Sequence, residues 1–369
     1  MYEDKRINIA FEGMTSNKGG TETFIINVYN KLDKSRFKSY FIAYEEKIAY
    51  EEYLRESGAV VVHLTSRYES PVGFCSALRQ FFKGYRVDII WAHKTTLSSC
   101  ESLMIAKLYH VPVRIIHGHS SDNMGNSLTA LLHSMNRVYI RYLTTEQFAC
   151  SELAAKYFFG KHKAKIIRNA LDLDQFRYNP EVREGIRETL GCSGKKVIGH
   201  VGRFGAEKNH AKLIRVFEKI HVRDDNTRLV LCGDGEERKN IEKLIRHYNL
   251  EGSVCLVGNV DNVNEILQGV DIFVMPSLFE GLPFALLEAQ TCGLKCVVSD
   301  TVSRESDVLG WNEFLPLDAS DEIWADAVLQ VDLNYDREQG YKTMKDKGYG
   351  VEENIRFIEK IVLKEESNV

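Results

Sequence analysis

Short runs of Val, Ile and other apolar residues alternate with longer amphipathic stretches from one end of the sequence to the other. A strand buried on both faces reads as a continuous apolar run, and its parallel neighbour can follow only after a crossover, usually a helix. The alternation therefore predicts an α/β chain built on parallel sheets. In the front half, strands are expected at 7–11, 40–43, 60–64, 87–92, 113–117 and 147–150, with helices between them, for instance over 21–32 and 73–82. The runs recur in the back half at 196–201, 228–232, 254–257, 271–275 and 295–299.

The chain of 369 residues is long enough for two domains at roughly 150 residues each. The join is expected within 169–195, where Asn179-Pro180 and Gly191-Cys192-Ser193-Gly194 punctuate a charged segment without a sustained apolar pattern. Two doubly wound sheets would face each other across a cleft. Ligands of such sheets bind beyond the carboxyl ends of the strands, so the loops there are the places to look for chemistry.

The formal net charge of −4 speaks against a nucleic-acid partner, but it hides an asymmetry. Residues 1–170 hold 23 basic and 16 acidic residues, a net of +7 that leaves −11 for the remainder. The imbalance is either inert solvated charge or a basic front half that meets anionic phosphate or a membrane surface. Eight scattered cysteines, several within apolar runs, read as buried thiols of a reduced, cytoplasmic protein without a structural metal. Met1 to Arg6 lead into a strand without a signal-peptide core, and no apolar stretch is long enough to span a bilayer. Membrane contact, if made, would be peripheral, at the inner face of the plasma membrane.

Three loops invite a phosphorylated ligand. After the first strand, Gly19-Gly20 precede a helix, where backbone N–H groups can approach an anion; a tight turn without a ligand explains the pair almost as well. After the first strand of the back half, Arg203 and Lys208 share one loop. A planar fork and a point charge could together neutralise a pyrophosphate, or the loop could simply be basic and solvated. The third stretch runs from Asp271 through Glu280-Gly281-Leu282-Pro283 to Glu288. Pro283 suits the first turn of a helix, the N–H groups of Gly281 and Leu282 could point at an anion, and Glu288 could accept from the vicinal hydroxyls of a ribose. The apolar Leu286, Leu287 and Ala289 around Glu288 fit poorly with a merely solvated carboxylate.

His117-Gly118-His119 close a front-half strand with both imidazoles on one face. No carboxylate or cysteine stands at ligand spacing, so a histidine that hydrogen-bonds a hydroxyl or phosphate is expected rather than a metal site. Asp172-Leu173-Asp174 has the look of a metal-binding Asp-x-Asp, but it lies at the domain junction and reads as linker.

Taken in order, these segments resemble retaining glycosyltransferases of family 4, with the GT-B fold of two Rossmann-like domains, and most closely the bacterial exopolysaccharide and capsular polysaccharide members. The resemblance spans most of the chain. It is carried by Gly19-Gly20-Thr21-Glu22-Thr23-Phe24, Arg114-Ile115-Ile116-His117-Gly118-His119, Ala149-Cys150-Ser151-Glu152, Arg168-Asn169-Ala170-Leu171-Asp172, the 199–210 loop, Cys232-Gly233-Asp234-Gly235-Glu236, and the Glu-x7-Glu spacing of Glu280 and Glu288.

The resemblance implies an acceptor-binding domain at 1–170, a donor-binding domain at 171–345, and a helix within 346–369 that returns to the front domain. Arg203 and Lys208 would bind the donor diphosphate and offset its charge as the glycosidic bond breaks, work that needs no metal or other cofactor. Glu288 would hold the ribose, and Glu280 with Gly281 and Leu282 the transferred sugar and phosphates. His119 and the Gly19-Gly20 loop would reach across from the acceptor domain. The implied donor is a UDP-sugar and the implied acceptor a saccharide or a polyprenyl-diphosphate-linked saccharide. A sugar-nucleotide epimerase and a non-catalytic sugar-nucleotide-binding subunit of a polysaccharide assembly complex remain as alternatives. Two positions depart from the family pattern: Lys295 stands where Pro is usual, and Gly118 where Ser is usual.

Overall fold

The computed structural model describes residues 5–120, 126–168, 171–280 and 282–366. Its contacts divide the chain into two compact units, Met1–Ala170 with Val351–Val369, and Leu171–Gly350. The first contains β1 (Ile7–Glu12), α1 (Gly20–Lys31), β2 (Phe37–Ala43), α2 (Glu51–Glu56), β3 (Val60–His63), α3 (Pro71–Gly84), β4 (Ile89–Lys94) and α4 (Glu101–Leu108). It continues with β5 (Val113–Gly118), α5 (Ser127–Leu143), β6 (Glu146–Ala149), α6 (Glu152–Phe159) and β7 (Lys165–Ile166). All seven strands are parallel, in the order β3-β2-β1-β4-β5-β6-β7.

The second unit opens with α7 (Leu173–Phe176), α8 (Pro180–Thr189), β8 (Lys196–Val201), α9 (His210–Arg223), β9 (Thr227–Cys232), α10 (Arg238–His247) and β10 (Val254–Gly258). There follow α11 (Val263–Gly269), β11 (Ile272–Met275), α12 (Phe284–Thr291), β12 (Lys295–Ser299), β13 (Glu313–Leu315), α13 (Asp321–Gln330) and α14 (Glu338–Asp346). Its parallel sheet runs β10-β9-β8-β11-β12-β13. In both units the order reverses beside the first strand, as in doubly wound folds. The short edge strands β7 and β13 escape the sequence reading because two or three residues carry no apolar pattern.

The continuous apolar runs exist because each central strand feeds two cores. In β9, Leu229 and Leu231 pack with residues of α9, α10 and α13, whereas Val230 and Cys232 pack on the other face with residues of α11 and α12. Successive side chains of a strand point to opposite faces, so a sheet covered on both sides has no polar face to show. Helix starts are set locally: Ser70, Ser151 and Ser320 accept the N–H of Gly73, Ala154 and Ile323, each cap contributing about 1 kcal/mol.

The segment expected to be a linker folds as α7 and α8 of the second unit. Its apolar pattern is thin because arginines dock it. Arg183 and Arg187 both engage Asp271 at the start of β11, and with Arg337 they donate to the carbonyls of Gln268, Gly269 and Val270 at the end of α11. These are orphan carbonyls at the negative end of a helix, where cations are favoured. Asp174, read as linker, accepts the Tyr341 hydroxyl at 2.6 Å.

The chain passes back to the first unit at Val351. There α15 (Val351–Glu366) packs on α1, with ion pairs Arg36–Glu359 at 3.1 Å and Lys31–Glu352 at 3.5 Å. With residues 351–369 included, the first unit holds 26 basic and 21 acidic residues, so the helix reduces its positive charge without reversing it.

Both departures from the family pattern have structural reasons. A Cβ on Gly118 would fall 2.6 Å from the ring of the fully buried Phe158. The backbone N–H of Lys295 donates to the Tyr335 hydroxyl at 3.3 Å, a bond that proline would forfeit, and its ammonium donates to the Asp332 carbonyl at 2.8 Å. Just before it, Gly293 has φ +69°, and a Cβ there would lie 2.0 Å from the Arg337 carbonyl oxygen. Gly293→Ala should therefore cost about 3 kcal/mol, against less than about 0.5 kcal/mol for Gly252→Ala, which meets nothing within 4 Å. Urea denaturation of both variants checks this, and equal midpoints would contradict it.

Candidate functional site

In the second unit the reversal of strand order falls between β8 and β11, so the loops that follow these strands leave in opposite directions and open a crevice. The β8 loop runs Gly202 to Asn209 and ends in a 3-10 turn, Ala206–Lys208, before Asn209 takes a left-handed conformation to start α9. It is locked from below. Phe204 is fully buried, its N–H donates to the Asp234 carbonyl at 2.9 Å, and Gly202 donates to the Cys232 carbonyl at 3.0 Å. Gly233, at φ +141°, has no room for a side chain because a Cβ would sit 2.0 Å from the Gly202 carbonyl oxygen. This close backbone contact requires glycine at position 233.

Arg203 and Lys208 leave this loop in different environments. Arg203 is exposed and pairs with the exposed Glu236 at 2.8 Å; such a pair is worth little and exchanges readily for a better anion. Lys208 is largely buried and pairs with Glu280, which arrives from the β11 loop. The two loops are also joined through the backbone, Leu278 donating to the Glu207 carbonyl at 2.7 Å. Glu280 is held in place by a bridge to Val302 and by accepting the Ser303 N–H at 3.0 Å. The structure thus brings Lys208 and Glu280 together across the switch point. His200, behind Lys208, gives Nδ1 to the Val274 carbonyl at 2.8 Å; burial, then His210 and Lys208, hold it neutral.

Pro283 is the residue before α12 rather than its first, and Glu288 lies in the second turn. Gly281 lies outside the described residues; Leu282 is half-buried ahead of the helix. Glu288 has no hydrogen bond or ion pair among the described residues, and loss of hydration pushes its carboxyl up to about 7. Its charge reaches Cys232 at the end of β9, whose thiol burial first and Glu288 second push up to about 11. An under-satisfied carboxylate close to the end of β9 suits a ligand that supplies hydroxyl donors.

In the first unit the Gly19-Gly20 pair sits where the sequence reading puts it: Gly19 precedes α1 and Gly20 begins it. The loop is closed by the buried Glu22, which accepts from Gly19 N–H at 3.2 Å and from the Thr15 hydroxyl at 2.6 Å. His119 follows β5, and beside it stands His93, at the end of β4, which the sequence reading missed. The sequence signal was its place at the end of the apolar run 87–92. His93 Nδ1 and His119 Nε2 share a hydrogen bond of 2.9 Å. His117 is fully buried among Phe24, Trp91 and Phe148, not turned outward.

The ligand nitrogens of the three histidines lie within 4.8 Å of one another, but among the described residues no carboxylate or thiolate joins them. Burial pushes His119 down to about 3 and, with mutual repulsion, His93 and His117 well below their usual value. All three are neutral hydrogen-bonding groups at physiological pH.

Comparison with known proteins places the chain in a family. Residues 18–175 match the model of Glycosyltransferase Family 4, and residues 182–346 that of Glycosyl transferases group 1. The chain is 31% identical over 368 residues to the putative glycosyltransferase EpsF of Bacillus subtilis, covering 95% of this chain and 94% of that one. It is 28% identical over 252 residues, 64% of each chain, to the UDP-Gal:alpha-D-GlcNAc-diphosphoundecaprenol alpha-1,3-galactosyltransferase of Escherichia coli. A crystal structure of HepE from Anabaena in complex with UDP-glucose superposes with a TM-score of 0.75 at 16% identity, over 97% of this chain and 100% of that one. Two doubly wound parallel sheets, a strand-end crevice that pairs Lys208 with Glu280, and a relative alike along nearly its whole length make this chain a member of the family 4 glycosyltransferases, with the GT-B fold.

Proposed function

We propose that the protein transfers a sugar, with retention of anomeric configuration and without a metal ion, from a UDP-sugar to a polyprenyl-diphosphate-linked saccharide in exopolysaccharide or capsule synthesis. The observation that carries this reading is the meeting of Lys208 and Glu280 at the switch point of the second unit. A diphosphate there competes with Glu280 for the ammonium, which frees the Glu280 carboxylate to accept from sugar hydroxyls. Arg203 gives up its weak surface partner and closes on the same phosphates. As the glycosidic bond breaks, the two cations offset the charge gathering on the departing UDP, the task a divalent ion performs in other transferases. Glu288 accepts from the ribose hydroxyls. Gly281 and Leu282 flank the phosphates, and no nucleophile is assigned.

In the first unit, Gly19, Gly20 and the neutral His119 serve the acceptor and the transferred sugar. His93 occupies one nitrogen of His119 and so leaves the other for a hydroxyl. The lipid-linked acceptor and the UDP-sugar are suggested by the names of relatives, the galactosyltransferase and HepE among them. The name of a relative from Erwinia amylovora, the amylovoran biosynthesis glycosyltransferase AmsD, suggests the polysaccharide.

Two outcomes follow. Added chelator should leave turnover within about twofold of its metal-free value; abolished turnover would refute leaving-group stabilisation by Arg203 and Lys208. Donor binding should also depend on pH in a set direction. Burial pushes the Glu288 carboxyl up to about 7, and it must be ionised to accept from two hydroxyls, so donor binding should release a proton and weaken as pH falls below 7. With a UDP-sugar as probe, whose two phosphates do not titrate between pH 6 and 8, Glu288→Gln should lose this dependence and bind about tenfold or more weakly. Calorimetry in buffers of different ionisation enthalpy reads both effects, and wild-type affinity that is flat from pH 6 to 8 would remove Glu288 from the ribose.

A further inference from the structure

Helix α5 is apolar on two faces. The inner face, with His133 and Ile140 buried, packs on the first unit's core. On the other, Leu128, Leu131, Met135, Val138, Tyr139 and Tyr142 recur at helical spacing, and each is between 53% and 63% exposed. Scattered surface apolar residues need no explanation, but a continuous stripe along a helix of 17 residues does. On α4, Met104 and Leu108 are exposed as well, and Lys107 between them donates to the Tyr142 carbonyl at 2.6 Å, which ties them to the end of the stripe.

Charge decides what covers this face. The segment 126–143 contains Arg137 and Arg141 and no Asp or Glu. Both arginines are exposed; Arg141 flanks the stripe, whereas Arg137 lies nearer the inner face with its guanidinium against Gly160, and neither has a carboxylate partner among the described residues. A second α5 laid against the first would offer no acid to either guanidinium. An anionic lipid surface offers phosphate to Arg141 on the flank, hydrocarbon to the leucines and an interfacial zone to the two tyrosines.

We infer that the outer face of α5 docks the protein on an anionic bilayer, with the helix lying in the plane of the headgroups. The purpose of this surface rests on the lipid-linked acceptor reading, but its test needs neither donor nor transfer, so either can fail alone. The purified full chain is floated with vesicles of phosphatidylcholine, with and without one third phosphatidylglycerol. Wild type should float with the anionic vesicles. The variant L131S/M135S/V138S, altered only at exposed positions, should lose at least about tenfold in partitioning at unchanged melting temperature. R141E should lose most of the preference for phosphatidylglycerol. Wild type that stays at the bottom of the gradient, or a triple variant that floats as well as wild type, would overturn the inference. A wild-type dimer that the triple variant turns into a monomer would assign the face to a second copy instead, and overturn it equally.

Discussion

The constraint on which the site depends is the reversal of strand order beside the first strand of a parallel sheet. Parallel strands buried on both faces hold their backbones rigidly, and where neighbouring crossovers lead to opposite faces no loop can close the gap between them. In the second unit that gap lies between β8 and β11. The residues proposed to hold the donor's nucleotide and diphosphate come from just beyond these strands or from the helix that follows β11. The opposed charges of Lys208 and Glu280 meet there because the sheet brings their loops to one edge, not because they are near in sequence.

Around that gap, the structure spends buried glycine and buried polar groups where a simple core would hold apolar side chains. Gly202 and Gly233 touch through their backbones so that the β8 loop lies flat. His200 is kept neutral behind Lys208, and Glu288 is left without a partner. Unpartnered buried polar groups cost stability; His200 and His210 on either side of the β8 loop, and Ser277 after β11, each keep a buried polar atom without a partner among the described residues. The first unit repeats the plan with imidazoles, which carry no charge when buried and so suit the hydroxyl groups of a saccharide better than a phosphate.

Much of this was legible in the sequence. Apolar runs buried on both faces cannot be mistaken for amphipathic strands, so the central strands of both sheets and the loops after them were visible, together with Arg203, Lys208, Glu280 and Glu288. What could not be read was pairing across space. Nothing local says that Lys208 meets Glu280 or that His93 meets His119. The 173–189 segment looked like a linker because its docking is electrostatic, through Arg183 and Arg187 on Asp271, and leaves little apolar periodicity. The outer stripe of α5 was invisible for the opposite reason: a helix with two apolar faces looks from its sequence like one that is simply well buried.

The most direct measurement is calorimetric titration of wild type and Lys208→Ala with UDP and with UMP, which differ by the one phosphate that the switch-point cation is expected to hold. UDP should bind wild type about tenfold or more tightly than UMP, and Lys208→Ala should lose most of that advantage while binding UMP nearly as before. The same ratio of UDP to UMP affinity in both proteins would contradict the assignment of the β8–β11 crevice to the donor diphosphate.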